Sequence, residues 1–240
     1  MPWYFAVAER DHEIQNPTST DEIRALGAYL RLDARSHVLD VACGKAGPAL
    51  ILAGEFGCRI TGVERAAEFA SSARERIAEA GLDDRVEIVE RDARDFRLDR
   101  DAYDVAMCLG AGFIWEGLVG TLRALAPAAR PKGHVVVGEP YWRRWPLPNG
   151  VGDDGWVPLA ETMDRFTTAG LAPEALIASS EDDWDRYESR HWRALEEWLA
   201  ANPDDPEAPE IRERHVRSRA DYLRWQRELL GWAIFVARKA

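Results

Sequence analysis

The chain has 240 residues, 46% of them hydrophobic, enough to bury the core of one large domain or of a domain carrying a substantial insertion. Its formal charge of -11 works against nucleic acid, whose affinity rests on phosphate neutralisation, and against anionic membrane surfaces. Cys43, Cys58 and Cys108 are odd in number and widely separated, so neither a disulfide framework nor a metal site is indicated.

The opening MPWYFAVAERDHE lacks the basic segment and long apolar run of a secretory signal, and no apolar run is long enough to span a bilayer. A soluble protein in the cytoplasm is the expectation. After this irregular start, PTSTDEIRALGAYLRL reads as a helix, with Ser19 and Glu22 as a capping box and Ile23, Leu26 and Leu30 at helical spacing. Strand and helix then alternate. HVLDV, CRITGVE, RVEIVERDA, YDVAMCLGA and HVVVGEP read as strands. PALILAGEFG, AAEFASSARERIAEAGL and LVGTLRALAPAARPKG read as the helices between them, each stopped by glycine or proline.

One more helix and strand follow in PLAETMDRFTTAGLAPEALIAS, with Gly170 as the stop. Two helical patterns fill Glu181 to about Leu229, joined by NPDDPEAP, and LLGWAIFVARKA is a final strand. The expected fold class is α/β: a doubly wound, three-layer αβα arrangement on a mostly parallel sheet, with a helical insertion before the last strand. One domain spans 1–240: an N-terminal cap and helix over 1–36, a core over 37–180, an insertion over 181–229 serving as lid or buttress, and the last strand over 230–240. Right-handed crossovers put every strand-to-helix loop at one sheet edge, where ligands of open α/β sheets bind.

The first such loop, Ala42-Cys43-Gly44-Lys45-Ala46-Gly47, is a dinucleotide fingerprint with its first glycine replaced, and Glu64 ends the next strand. Asp40 stands directly before it. A carboxylate there repels a pyrophosphate but welcomes an ammonium group. Asp92-Ala93 follow the third strand, where a carboxylate and a backbone amide suit an adenine edge. No tyrosine is followed by lysine at dehydrogenase spacing, and no Walker loop occurs.

Asp40 to Gly47, Glu64, Asp92-Ala93 and YDVAMCLGA, in this order, resemble the successive motifs of class I S-adenosylmethionine-dependent methyltransferases, over roughly residues 20 to 140. The resemblance implies a seven-stranded sheet with an antiparallel last strand, S-adenosyl-L-methionine as cofactor, and methyl transfer. It implies that Asp40 and the backbone at Ala42 and Gly44 line the methionine moiety, Glu64 the ribose hydroxyls, Asp92 and Ala93 the adenine, and Cys108, Leu109 and Gly110 the rim near the sulfonium, with Arg65 also among the cofactor-binding residues. The family pattern is acid-x-Gly-x-Gly-x-Gly. Ala42 and Ala46 replace two of its glycines, which suits a need for a small side chain but not for positive φ.

Methyl transfer asks mainly for alignment and exclusion of water, so catalytic residues are less diagnostic than in hydrolases. His12, Glu139 and Tyr141 are the candidate catalytic residues. His12 lies in a segment of the kind that folds over the cofactor in this family, and the other two in the loop after the fifth strand. Trp184, Glu188, His191, Leu195 and Trp198 form a helical stripe that reads first as core packing. The ten tryptophans also offer an aromatic wall for a cation or flat ring. RERHVRSR lies among acids on a helix and reads as a solvated face.

Pro140-Tyr141-Trp142 departs from the Pro-Pro-aromatic motif of DNA amino-methyltransferases. The expected acceptor is a small molecule, cationic or aromatic, with nitrogen or oxygen as nucleophile, and neither nucleic acid nor a membrane is an expected partner. A non-catalytic S-adenosylmethionine-binding protein and a protein methyltransferase are the alternatives. Composition leaves the oligomeric state open.

Overall fold

The computed structural model describes residues 2–152 and 155–240. Seven strands form one sheet: β1 (His37–Val41), β2 (Arg59–Glu64), β3 (Val86–Glu90), β4 (Tyr103–Leu109), β5 (Ala129–Trp142), β6 (Leu171–Ala178) and β7 (Leu230–Lys239). Their order is β3-β2-β1-β4-β5-β7-β6. β7 runs antiparallel to both its neighbours, and the ladders among β1 to β5 are parallel. This is the expected doubly wound sheet with an antiparallel last strand.

Strand alternation divides the side chains between two layers. Val38, Val105, Met107 and Val136 face one way, against α2 (Thr20–Tyr29), α3 (Gly47–Phe56) and α4 (Ala67–Glu79), through Leu26, Leu52 and Ile77. Leu39, Ala106, Cys108, Val135 and Val137 face the other, against α5 (Leu118–Leu125) and α6 (Leu159–Thr168), through Leu122 and Phe166. The Ser19–Glu22 capping box starts α2 as expected: the Glu22 N–H donates to Ser19 Oγ at 3.2 Å and the Ser19 N–H to Glu22 Oε2 at 2.6 Å.

Three boundaries differ from expectation. Residues 2–8 form a helix, α1 (Pro2–Ala8), because Tyr4, Val7 and Ala8 bury against Leu195 and Leu199 of α7 (Glu181–Ala201) and against Ala208 and Ile211 of α8 (Ala208–Asp221). α5 stops at Leu125, and the chain from Ala129 already pairs with Tyr103 of β4. Pro127 and Pro131 lack the N–H groups a longer helix would need. β3 ends at Glu90, leaving Asp92 and Ala93 in the turn beyond it.

The helices of residues 181–229 share a second core with the ends of β5 and β7. Trp142, Trp184, Tyr222 and Trp232 pack together with Trp156, Trp192 and Trp225 against them. Six of the tryptophans are therefore internal packing between α7, the end of α8 and the C-terminal end of β5. The Asp183 N–H donates to Ser180 Oγ at 3.1 Å, a second capping box, and three acids in the first turn of α7 complement its dipole. α8 passes through a π-helical turn, Tyr222–Gln226, before the chain enters β7. RERHVRSR is largely a solvated face, although His215 is buried and Arg214 stacks 3.8 Å over the Tyr4 ring.

Candidate functional site

The loop after β1 takes the left-handed conformation at every second residue: Ala42 at φ 56°, Gly44 at 55° and Ala46 at 61°. For alanine that region costs about 1–2 kcal/mol. Both alanines thus hold the turn their replaced glycines would hold. The strain is offset by neighbours that fasten the loop. The Gly44 N–H donates to Glu64 Oε2 at 2.9 Å and the Ala66 N–H to Glu64 Oε1 at 2.7 Å, so this buried carboxylate joins the loop to the end of β2. The Lys45 N–H donates to Gln15 Oε1 at 2.7 Å, and Lys45 Nζ donates to the carbonyls of Glu9 and Arg10 at 2.7 and 2.9 Å.

Glycine at 44 and 47 makes room for the N-terminal segment itself. A Cβ at Gly44 would overlap the Gln15 carboxamide, and one at Gly47 would overlap the Glu13 carbonyl. Asn16 extends the same segment to β4, donating from Nδ2 to the Leu109 carbonyl at 3.2 Å.

Between this segment and the loop lies a cavity of about 670 Å³, a size suited to a cofactor-scale ligand. Asp40, Ala42, Gly44, Glu64 and Arg65 line one side, with Leu109 and Gly110 at the end of β4. Phe5, Ala6 and Glu9 from α1 and the following turn, with Tyr187 from α7, line another. Among the described residues its acidic groups are Glu9, Glu13, Asp40, Glu64 and Glu68 against the single guanidinium of Arg65, a bias toward cationic ligands.

Asp40 is 2% exposed, and its Oδ2 has no hydrogen-bond partner among the described residues. Burial, and secondarily the charge of Glu64, pushes its carboxyl up to about 8. An ammonium group beside it would satisfy the orphaned oxygen and restore the charge. Asp92 and Ala93 line a smaller adjoining cavity of about 160 Å³ that shares Ala42, Glu64, Arg65 and the exposed Phe113 ring with the main one. The Arg94 side chain forks onto Asp92 at 3.0 and 2.7 Å and holds its carboxyl well below the usual range.

Four sequence candidates lie elsewhere. Cys108 shares the parity of Ala106, so its side chain is sealed in the α5 layer and does not reach the cavity. Glu139 and Tyr141 share the parity of Val137 and turn toward the same layer. Glu139 lines a separate cavity with Trp156 and Arg165, where burial, opposed by the Arg165 charge, raises its carboxyl to about 7. Tyr141 packs on Phe235, with a ring-centroid distance of 6.4 Å, and against Gly231. His12 is 2% exposed because the turn after α1 folds it between α1 and α7, where Nε2 meets the Tyr187 carbonyl at 2.9 Å. No tryptophan lines the main cavity among the described residues; its aromatic groups are Phe5, Phe69, Phe113 and Tyr187.

Glu9 and Tyr187 were not singled out from sequence. Tyr187 Oη donates to Glu9 Oε1 at 2.8 Å, and His191 Nε2 lies 2.9 Å from the same oxygen. Burial works to raise the Glu9 carboxyl, but the hydrogen bond and charge of His191 outweigh it and lower it below its ordinary value. The available signal was the spacing of Trp184, Tyr187 and His191, which puts the tyrosine on the edge of the buried helical stripe.

The family model described as a methyltransferase domain matches residues 38–133. The chain superposes with a TM-score of 0.94 on a SAM-dependent methyltransferase from Geobacter sulfurreducens in complex with S-adenosyl-L-homocysteine, at 33% identity and covering 100% of this chain and 99% of that one. The uncharacterized protein YjhP of Escherichia coli is 30% identical over 98% of this chain and 97% of its own length. The 27-O-demethylrifamycin SV methyltransferase of Amycolatopsis mediterranei is 26% identical over 70% of this chain and 63% of its own.

Proposed function

The chain belongs to the class I S-adenosylmethionine-dependent methyltransferase family, and from that membership we propose that it methylates a nitrogen or oxygen nucleophile of a small molecule. S-adenosyl-L-methionine is the family's cofactor, and when bound it supplies an electrophilic methyl on a sulfonium sulfur. The residues present fit it. Asp40 offers an unsatisfied buried carboxylate to the ammonium, and Glu64 remains at the loop with lone pairs to spare for ribose hydroxyls. Ala42 and Gly44 present their backbone to the methionine moiety, with Arg65 beside Glu64. Asp92 and Ala93 take the adenine edge beyond Phe113, and Leu109 and Gly110 border the reacting end.

The observation that carries the small-molecule reading is the wall opposite the loop. Phe5, Ala6 and Tyr187 flank the cavity that the cofactor motifs line, leaving room beside them for an acceptor of small-molecule size. The acidic lining and the aromatic rings of Phe5, Phe69, Phe113 and Tyr187 favour a cationic or flat acceptor. Alignment of the acceptor against these walls supplies much of what this displacement requires. The relative named for methyl transfer to 27-O-demethylrifamycin SV supports an oxygen acceptor of metabolite size.

Incubation with methyl-labelled cofactor and a cell extract, followed by a size cut-off, tests this reading. Label is expected in the low-mass fraction. Label confined to protein overturns the acceptor class, and a methyl found on carbon by mass spectrometry overturns the nucleophile assignment.

A further inference from the structure

The densest set of metal-ligating atoms among the described residues lies at the junction of α1 and α7, where Glu9, His12 and His191 converge. We infer that these three side chains form a binding site for one divalent cation of the zinc class, bridging the turn after α1 to α7 beside the cofactor cavity. One ligand atom from each lies within 4.8 Å of the others.

Two facing atoms carry the inference. Glu9 Oε2 and His12 Nδ1 stand 3.4 Å apart, both sealed from solvent, and neither has a hydrogen-bond partner among the described residues. His12 Nε2 lies 2.9 Å from the Tyr187 carbonyl, which can only accept, so Nε2 carries the ring hydrogen. In the neutral ring Nδ1 then carries a lone pair, 3.4 Å from the lone pairs of the carboxylate oxygen. Two buried acceptors in that arrangement repel unless a positive centre sits between them.

The spacing is that of a coordination sphere. Ligands about 2.0–2.1 Å from a zinc-class ion are roughly 3.4 Å apart at tetrahedral angles and roughly 2.9 Å apart at right angles. The Glu9 Oε2 to His12 Nδ1 separation is 3.4 Å, and Glu9 Oε1 to His191 Nε2 is 2.9 Å. The surroundings match the way such ligands are held. The Tyr187 carbonyl fixes the tautomer of His12 from its far nitrogen, and the Tyr187 hydroxyl orients the Glu9 carboxylate. Two imidazoles and one carboxylate select zinc-class ions over magnesium or calcium, which prefer an all-oxygen shell.

Isothermal titration of the chelator-treated full chain with Zn²⁺ is expected to show one equivalent bound per chain, and Co²⁺ to develop visible ligand-field absorption. His12→Ala and His191→Ala are each expected to weaken Zn²⁺ at least about tenfold, whereas His134→Ala, in β5 and outside the cluster, leaves it unchanged. A rise in thermal midpoint of the unmodified chain with Zn²⁺ provides a readout that needs no variant to fold. No stoichiometric binding, or a Zn²⁺ affinity in the His12 and His191 variants equal to that of the unmodified chain, overturns the site. So does NMR evidence that His12 carries a proton on both nitrogens at neutral pH in the chelator-treated protein and that added Zn²⁺ leaves it unchanged.

Discussion

Asp40 concentrates the chemistry of the site into one side chain. Its carboxyl titrates at about 8 in the fold because of burial and then Glu64, against about 4 in an unfolded chain. Between those values the unfolded chain gives up a proton that the native state keeps. The contribution to stability is therefore complete below about pH 4 and is lost as pH rises through 8. Asp40→Asn removes this slope, so the thermal midpoint of the ligand-free protein is expected to fall less between about pH 5 and 8 than in the parent. The same variant is expected to bind S-adenosylhomocysteine at least about tenfold more weakly, because the ammonium loses a charged partner. Calorimetry at several pH values reads both effects, and an unchanged affinity would falsify the assigned role of Asp40.

Elements explain why some of the site was legible in the sequence and some was not. Asp40, Glu64 and the Asp92-Ala93 pair end strands or follow them closely, and strand position alone puts them at one sheet edge. Glu139, Tyr141 and Cys108 also stand near that edge, but alternation turns their side chains to the α5 layer, a distinction that a reading by loop position overlooks. α1 lacks a capping signal, and its helical state comes from contacts with α7 and α8, nearly 200 residues along the chain. Glu9 and Tyr187 therefore meet only in three dimensions. The two alanines of the loop posed the question of positive φ; the structure answers it by placing both there.

That answer fixes what Gly44 is for. Alanine at 42 and 46 shows that the loop bears left-handed strain at those positions, and at 44 the space taken by Gln15 of the docked segment adds a second demand to it. Gly44→Ala is expected to cost about 1–3 kcal/mol in urea unfolding through overpacking. Adding Gln15→Ala to the same chain should return the overpacking share and leave about 1–2 kcal/mol of left-handed strain. A double variant no more stable than Gly44→Ala alone would show that the backbone, and not the Gln15 contact, sets the requirement.

At the scale of the whole molecule, a formal charge of -11 and the cavity's Glu9, Glu13, Glu64 and Glu68, joined by Asp40 once a cation pairs with it, act in the same direction. The cofactor carries one more positive charge than its demethylated product, so the field favours the form that arrives over the form that leaves. Raising salt from about 0.05 to about 0.5 M shortens the screening length several-fold. S-adenosylmethionine affinity is expected to weaken under this change by more than S-adenosylhomocysteine affinity, measured by parallel titrations. Equal losses for the two ligands would remove the field as a source of discrimination.

The placement of β7 between β5 and β6 has a consequence for how the protein is made. β6 emerges during synthesis with no neighbour to hydrogen-bond, and β5 waits with one flank bare, until residues 230–239 arrive from beyond the two long helices. The tyrosine-bearing wall of the cavity hangs on the loop of chain that this strand ties shut. A nascent chain halted before it would expose two adhesive strand flanks, which makes the late insertion of β7 the step at which aggregation and completion of the binding pocket compete.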